Sequence, residues 1–261
     1  YTPWERHKEL FAQAKLENII CFSSPFDITA VDLLEDLGNP IYKIASFEIT
    51  DIPLIKYVAS KGKPIIMSTG IASEQDIDLA IETCRKEGNE EIALLKCTSN
   101  YPAKMSDANL SMISDYQKRF GLVSGLSDHT LGITAPIVAV TQGAKIIEKH
   151  FILDNSVGGP DASFSLNEIQ FKRMVEAVRE SELALGKVNY KLSEKQKAAR
   201  SYCRSLYIAK SVKKGDVVTK ANLKSVRPGY GMHPKYLPEL IGKRFKKDCE
   251  AGTRARDDLF Q

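Results

Sequence analysis

Apolar residues along this chain fall into short, nearly continuous runs separated by longer stretches of helical period. Runs at Ile19–Ser23, Ile41–Ser46, Pro64–Ser68, Ile92–Thr98, Leu122–Ser127 and Lys145–Phe151 read as six strands covered on both faces. Helices are predicted near 3–17, 28–37, 51–61, 73–87, 107–119, 133–142 and 165–185. Punctuation supports several of them. Thr2 is placed to cap the first helix, with Pro3 at its first position and Glu5 closing a capping box. Ser73 caps a helix that stops at Gly88, and Ser165-Leu166-Asn167-Glu168 reads as a capping box for a helix that stops at Gly186.

Strands alternating with helices imply a parallel sheet covered by helices, closed as a doubly wound open sheet or as a (β/α)8 TIM barrel. No G-x-G-x-x-G or P-loop turn follows any strand, which argues against the open nucleotide-binding sheets. Every strand ends instead in small hydroxyls or ionisable groups: Ser23-Ser24, Lys43 with Ser46, Ser68-Thr69, Thr98-Ser99, Ser127 with His129, and Glu148 with His150. Polar groups gathered at the carboxyl ends of all strands are what a barrel active site requires, so the α/β barrel is the expectation, with six of eight strands present. The missing two fall at the N-terminus, where the chain opens directly into a helix as though cut from something longer. The barrel is expected over 1–186, a polar linker over 187–200, and a small β-rich module over 201–261.

The 261 residues can bury a full core, and 43% apolar with 27% charged residues is ordinary for a soluble globular protein. A net charge of +4 is too small to argue for nucleic acid, and the cluster Lys243–Lys247 reads as a solvated face. Five cysteines without metal-type spacing favour a reducing compartment. With no apolar run near the ~18 residues of a membrane span and no signal peptide, a cytoplasmic protein without membrane contact is expected.

The chemistry concentrates in residues 125–151. Period-2 alternation sets Ile146, Glu148 and His150 on one strand face, with His129 at the tip of the preceding strand. A glutamate and histidines on the inner face of a core strand are costly unless partnered by charge or metal, so the segment asks for a divalent ion or a charged substrate. An inward Lys43 in an apolar strand likewise needs an anion. A lone serine at a strand end is ordinarily turn chemistry. Cys97, among apolar neighbours, reads as structural, and His7 and His233 read as surface or packing residues.

Six strings in order, each at a strand tip, resemble the sialic acid synthase family. They are Phe22-Ser23-Ser24-Pro25-Phe26, Tyr42-Lys43-Ile44-Ala45-Ser46, Ser68-Thr69-Gly70, Lys96-Cys97-Thr98-Ser99-Asn100-Tyr101-Pro102, Gly125–Thr130 and Glu148-Lys149-His150-Phe151. The segment Lys214-Gly215 … Asn222-Leu223 … Arg227-Pro228-Gly229 resembles the antifreeze-like (SAF) domain those enzymes carry. Arg204-Ser205-Leu206-Tyr207 and the run Arg227–Tyr236 look most like the branch that makes pseudaminic acid. The resemblance implies a transferase that condenses phosphoenolpyruvate with an N-acetylated amino sugar, here a 2,4-diacetamido-2,4,6-trideoxy hexose, into a nine-carbon acid. It implies phosphoenolpyruvate held by Lys43 with hydroxyls of Ser24, Ser46, Ser68 and Ser127, and Ser99, Tyr101 and Asp161 on the substrate side. His129 and His150 would be ligands of Mn2+, with Mg2+ or Co2+ as substitutes, and Glu148 would move protons beside them. It further implies a domain-swapped homodimer in which Arg227 reaches the partner's sugar. Family members begin with two further strands supplying a glutamate, an Asn-His pair and a lysine that this chain does not contain. N-acetylneuraminate or legionaminate synthesis differs only in the sugar. A non-catalytic assembly protein and a metal-dependent hydrolase or aldolase are the readings from other classes.

Overall fold

The computed structural model describes residues 2–261. They form two compact units, the first running to Gly186 and the second Lys187–Gln261.

In the first unit, α1 (Trp4–Leu16) and α2 (Ile28–Asp36) precede a regular β/α alternation. It runs β1 (Tyr42–Ile44), α3 (Ile52–Ala59), β2 (Ile65–Ser68), α4 (Glu74–Lys86), β3 (Ile92–Cys97), α5 (Met112–Phe120), β4 (Val123–Asp128), α6 (Thr134–Thr141), β5 (Ile146–Lys149) and α7 (Glu168–Leu185). The five strands pair in sequence order, all parallel, as a curled sheet that is half of a barrel. The sixth predicted strand does not form: Ile19–Ser23 contributes only a bridge between Ser23 and Tyr42. It lies at the edge of the sheet, where Ile19 and Ile20 are 66% and 70% exposed, so neither ladder nor burial holds it extended.

The register divides the strand residues cleanly. Tyr42, Ile44, Ile65, Met67, Ile92 and Leu94 point to the helices and form the main core with Leu54, Ile55, Val58, Ile77 and Ile81. The opposite, inward face carries Lys43, Ser68, Leu95, Cys97, Ser127 and Glu148. Polar residues collect at its carboxyl end because that end opens to solvent at the mouth of the half-barrel.

Helix starts agree with the reading of the sequence at α4 and differ in detail elsewhere. Ser73 accepts from Asp76 N–H in a full capping box, and Gly88 takes a φ of 80° just past the end. At α1 the cap residue is Pro3, one position ahead of its expected place, with no side-chain cap bond, so Thr2 does not cap. At α7 the box is Asn167 with Gln170, because the Ser165 hydroxyl is already committed to the Asp161 carbonyl at 2.7 Å.

The second unit pairs β6 (Ser205–Ile208) with β7 (Leu223–Val226) antiparallel, with α8 (Glu194–Ala199) before them and α9 (Leu237–Leu240) after. Isolated bridges Val212–Cys249, Val217–Arg244 and Phe245–Phe260 close it around Leu206, Ile208, Val218, Leu223, Phe245 and Phe260. All five cysteines are free thiols. Among the described residues, no helix is long and apolar enough to cross a membrane.

Candidate active site

The carboxyl ends of β1, β2, β4 and β5 bring four inward side chains into one connected group. Lys43 Nζ, buried, donates to Ser68 Oγ at 2.7 Å and stands 3.6 Å from Glu148 Oε2. Ser127 Oγ donates to the other carboxylate oxygen of Glu148 at 2.6 Å. The anion beside the inward lysine is therefore Glu148, and since Nζ also donates to the Ile44 carbonyl at 3.3 Å, the donor turned toward Glu148 at 3.6 Å is the one left for a second anion.

A second hydroxyl pair lies alongside, with Ser46 Oγ and Ser99 Oγ 2.7 Å apart. Gly70 passes over it so closely that a Cβ there would sit 2.1 Å from Ser99 Oγ and 2.7 Å from Ser46 Oγ. Only glycine lets the backbone cover these two hydroxyls. The structure does not bring Ser24 into either group: it is half-buried and lines a separate cavity of about 300 Å3 with Trp4, His7 and Phe26.

The tips of β4 and β5 carry the two histidines, with ring centroids 5.1 Å apart and planes 63° to one another. His129 Nδ1 lies 3.0 Å from the Thr98 carbonyl and donates to it. Burial holds the His129 imidazole below its ordinary pKa, with a smaller push from His150, so the ring is neutral. His150 Nδ1 faces Asp161 Oδ2 at 3.6 Å. His129 thus has Nδ1 engaged by a backbone carbonyl, the arrangement in which an outer partner orients a metal-binding imidazole, and Asp161 stands near Nδ1 of His150. The donor chemistry fits a divalent cation: two imidazoles with ring centroids 5.1 Å apart can face one ion, with the remaining positions left to water or substrate oxygen. Among the described residues no group of three or more His, Cys, Asp or Glu is gathered to hold a metal.

Tyr101 tilts against His129 at 4.4 Å between centroids, and Phe164 packs edge-on to His150 at 4.9 Å and to His129 at 6.2 Å. Burial raises the Tyr101 phenol above its usual range, so it stays a protonated donor. Lys43, Ser46, Ser68, Ser99, Tyr101, Ser127, His129, Glu148, His150 and Asp161 lie at this mouth, and among the described residues Ser24, next to the Ser23 bridge to Tyr42, forms no side-chain hydrogen bond with them. Arg227 follows β7 in the second unit, where it is exposed and forms no ion pair among the described residues. The Arg-Pro-Gly turn is pinned by Ser205 Oγ, which donates to the Pro228 carbonyl at 2.7 Å and accepts from Gly231 N–H at 2.8 Å.

Four residues of the site and its surroundings have no place in the sequence reading. Phe164 lies outside any periodic pattern. Asp128 and Lys149 form a wholly buried ion pair at 2.7 Å directly behind the histidines. A signal for the pair does exist in the sequence, since two opposite charges precede His129 and His150 on adjacent strands. Glu48, in the turn after β1, has a buried carboxylate oxygen with no hydrogen-bond partner among the described residues, and burial raises its pKa.

A half-barrel with an anion-ready lysine, strand-tip hydroxyls and paired imidazoles at its mouth, followed by a small β module, defines the class. The chain belongs to the NeuB family, whose model matches residues 1–190, and a SAF domain matches residues 204–261. It is 47% identical over 263 residues to the pseudaminic acid synthase of Helicobacter pylori, covering 99% of this chain and 76% of that protein. It is 39% identical over 254 residues to the N,N'-diacetyllegionaminic acid synthase of Campylobacter jejuni, covering 96% and 76%. Among solved structures, the spore coat polysaccharide biosynthesis protein SpsE of Bacillus subtilis matches with a TM-score of 0.69 at 33% identity, covering 100% of this chain and 78% of that one.

Proposed function

We propose that this chain acts as a pseudaminic acid synthase, condensing phosphoenolpyruvate with 2,4-diacetamido-2,4,6-trideoxy hexose to give a nine-carbon acid and phosphate. The observation that carries the reading is its 47% identity to a pseudaminic acid synthase along essentially the whole chain, against 39% for the legionaminic acid enzyme. The enol carbon of phosphoenolpyruvate bonds to the sugar aldehyde carbon, water adds to the resulting oxocarbenium-like centre, and the tetrahedral adduct expels phosphate.

Lys43 and the hydroxyls of Ser46, Ser68, Ser99 and Ser127 bind phosphoenolpyruvate, since short hydroxyls on rigid strand tips hold an anion at little entropic cost. Ser24 belongs to this set only through its sequence motif. His129 and His150 would hold a divalent ion, Mn2+ with Mg2+ or Co2+ as substitutes, which would supply Lewis acidity to the condensation. Glu148 takes a proton from the adding water or from a sugar hydroxyl, a role supported by its carboxylate lying at the mouth beside Ser127 and Lys43. Tyr101 and Asp161 line the sugar side. The protein works as a domain-swapped homodimer in the cytoplasm, with Arg227 reaching the sugar bound by a partner subunit.

The direct test incubates the protein with phosphoenolpyruvate, Mn2+ and either this hexose or N-acetylmannosamine, following phosphate release and product mass. Turnover with the diacetamido sugar alone supports the reading, whereas turnover only with N-acetylmannosamine reassigns it to neuraminic acid synthesis. Mixing Arg227→Ala with His150→Ala protein restores activity if sites are shared between subunits. A mixture as inactive as its components, with heterodimers shown to form, excludes the swap.

A further inference from the structure

Asp128 and Lys149 immediately precede the two histidines, and the β4–β5 register sets them opposite one another. Their side chains leave the sheet on the face away from the site, the face on which Leu126 and Ile147 pack against α6. They are 1% and 0% exposed and meet at 2.7 Å. The second oxygen of Asp128 accepts from Thr130 N–H at 2.9 Å, and Lys149 Nζ also donates to the Thr130 carbonyl. One closed network therefore joins the tip of β5 to residues on both sides of His129. On the far side, the His129 carbonyl is held by Ala103 N–H and the His150 carbonyl by Leu166 N–H, each at 2.9 Å.

A buried ion pair is a weak source of stability, because desolvating both charges offsets most of their attraction, and apolar side chains of similar volume often do as well. What it supplies that an apolar pair does not is direction, since its hydrogen bonds are satisfied in one relative placement of the two strand tips. Neither residue belongs to the hydrogen-bonded groups of the mouth, so they act on it only through the backbone they share with His129 and His150. We infer that the Asp128–Lys149 pair is a positioning device that sets the spacing and orientation of the two histidines, and through them the affinity of the site for a divalent cation. The inference rests on the reading of His129 and His150 as cation ligands.

The test compares the parent with the double variant Asp128→Leu/Lys149→Met, using two measurements. One is thermal unfolding without metal; the other is titration with Mn2+ alone, followed by calorimetry and by the electron paramagnetic resonance signal of the free ion. The expected result is a variant that stays folded at the titration temperature, its melting temperature lowered by several degrees because the Thr130 N–H and carbonyl lose their partners. Its Mn2+ affinity is reduced about 10–100-fold, the range lost when the outer partners of metal ligands are removed. Equal Mn2+ affinity in parent and variant overturns the positioning role while leaving the ligand reading intact. A parent that binds no Mn2+ overturns the ligand reading, and this inference with it. If the double variant does not fold, Asp128→Asn/Lys149→Gln, which keeps hydrogen bonding without charge, takes its place. Failure of both to fold makes the pair a structural requirement and refutes the proposal.

Discussion

Lys43 stands 3.6 Å from Glu148, and under the proposed function it faces a second anion, the phosphate or carboxylate of phosphoenolpyruvate. The looseness of the first contact is what leaves room for the second. Replacing Lys43 with Met removes a largely desolvated cation whose pairing is worth ~2–5 kcal/mol, so the KM for phosphoenolpyruvate is expected to rise at least about 30-fold. The KM for the sugar should move much less. An unchanged phosphoenolpyruvate KM would make Lys43 a structural partner of Glu148 only. Glu48 allows a stability test with a defined sign. Burial raises its pKa above the unfolded value, partly countered by its own backbone and by Lys43. Between the two pKa values the folded state holds more protons, so stability falls as pH rises through this window, and the cost is complete above the folded pKa. Glu48→Gln should therefore raise the melting temperature at neutral pH by a few degrees and leave it unchanged in acid, as read by calorimetry across pH. Lys43 is legible in the sequence because a lysine inside an apolar strand is too costly to bury without an anion beside it. Glu48 is not, because its burial comes from the turn it folds into and not from any periodicity.

At the scale of elements, the inward face is shaped as much by missing side chains as by those present. Gly125 in β4 lies so close to β5 that a Cβ would meet the Ile146 carbonyl at 2.3 Å and Leu95 Cδ2 at 2.7 Å. Backbone on one side cannot yield without parting the strands, so Gly125→Ala should cost ~1–3 kcal/mol and lower the melting temperature by several degrees. Because β4 and β5 carry His129 and His150, catalysis should fall along with stability; a variant with parental melting and activity would show that the sheet can flex here. Helix caps form a milder series. Asn167→Ala removes a cap worth ~1 kcal/mol at α7 and should lower stability by that amount with kcat unchanged. The alternation of β and α, and the strand tips, are readable because apolar periodicity reports burial directly. The strand expected at Ile19–Ser23 fails because its residues are strand-like while its pairing depends on a neighbour that no local pattern reports. The cap expected at Ser165 fails because its hydroxyl is taken by a carbonyl four residues back, a choice made by the loop and not by the helix.

At the scale of the whole molecule, the two units have separate cores, and the position of the single tryptophan makes them separately observable. Trp4, 43% exposed, begins α1 in the first unit, so tryptophan fluorescence follows the packing of α1 on that unit, whereas calorimetry reports both units. The second unit, about 75 residues, is small enough that its core supplies no more than ~3–5 kcal/mol. Phe245 lies at the centre of that core, fully buried and packed against Phe260 at 5.4 Å between ring centroids. Truncating a buried phenylalanine to alanine costs ~3–5 kcal/mol, which is comparable to the whole stability of such a unit. Phe245→Ala should therefore unfold the second unit at temperatures where the first remains intact. Calorimetry would show the loss of one transition, while the Trp4 fluorescence transition stays where it was. Under the proposed function, sugar turnover should disappear with Mn2+ binding preserved, because the proposed ligands His129 and His150 belong to the first unit and Arg227 to the second. A Trp4 transition that moves down together with the calorimetric one would show instead that the two units unfold as a single cooperative body.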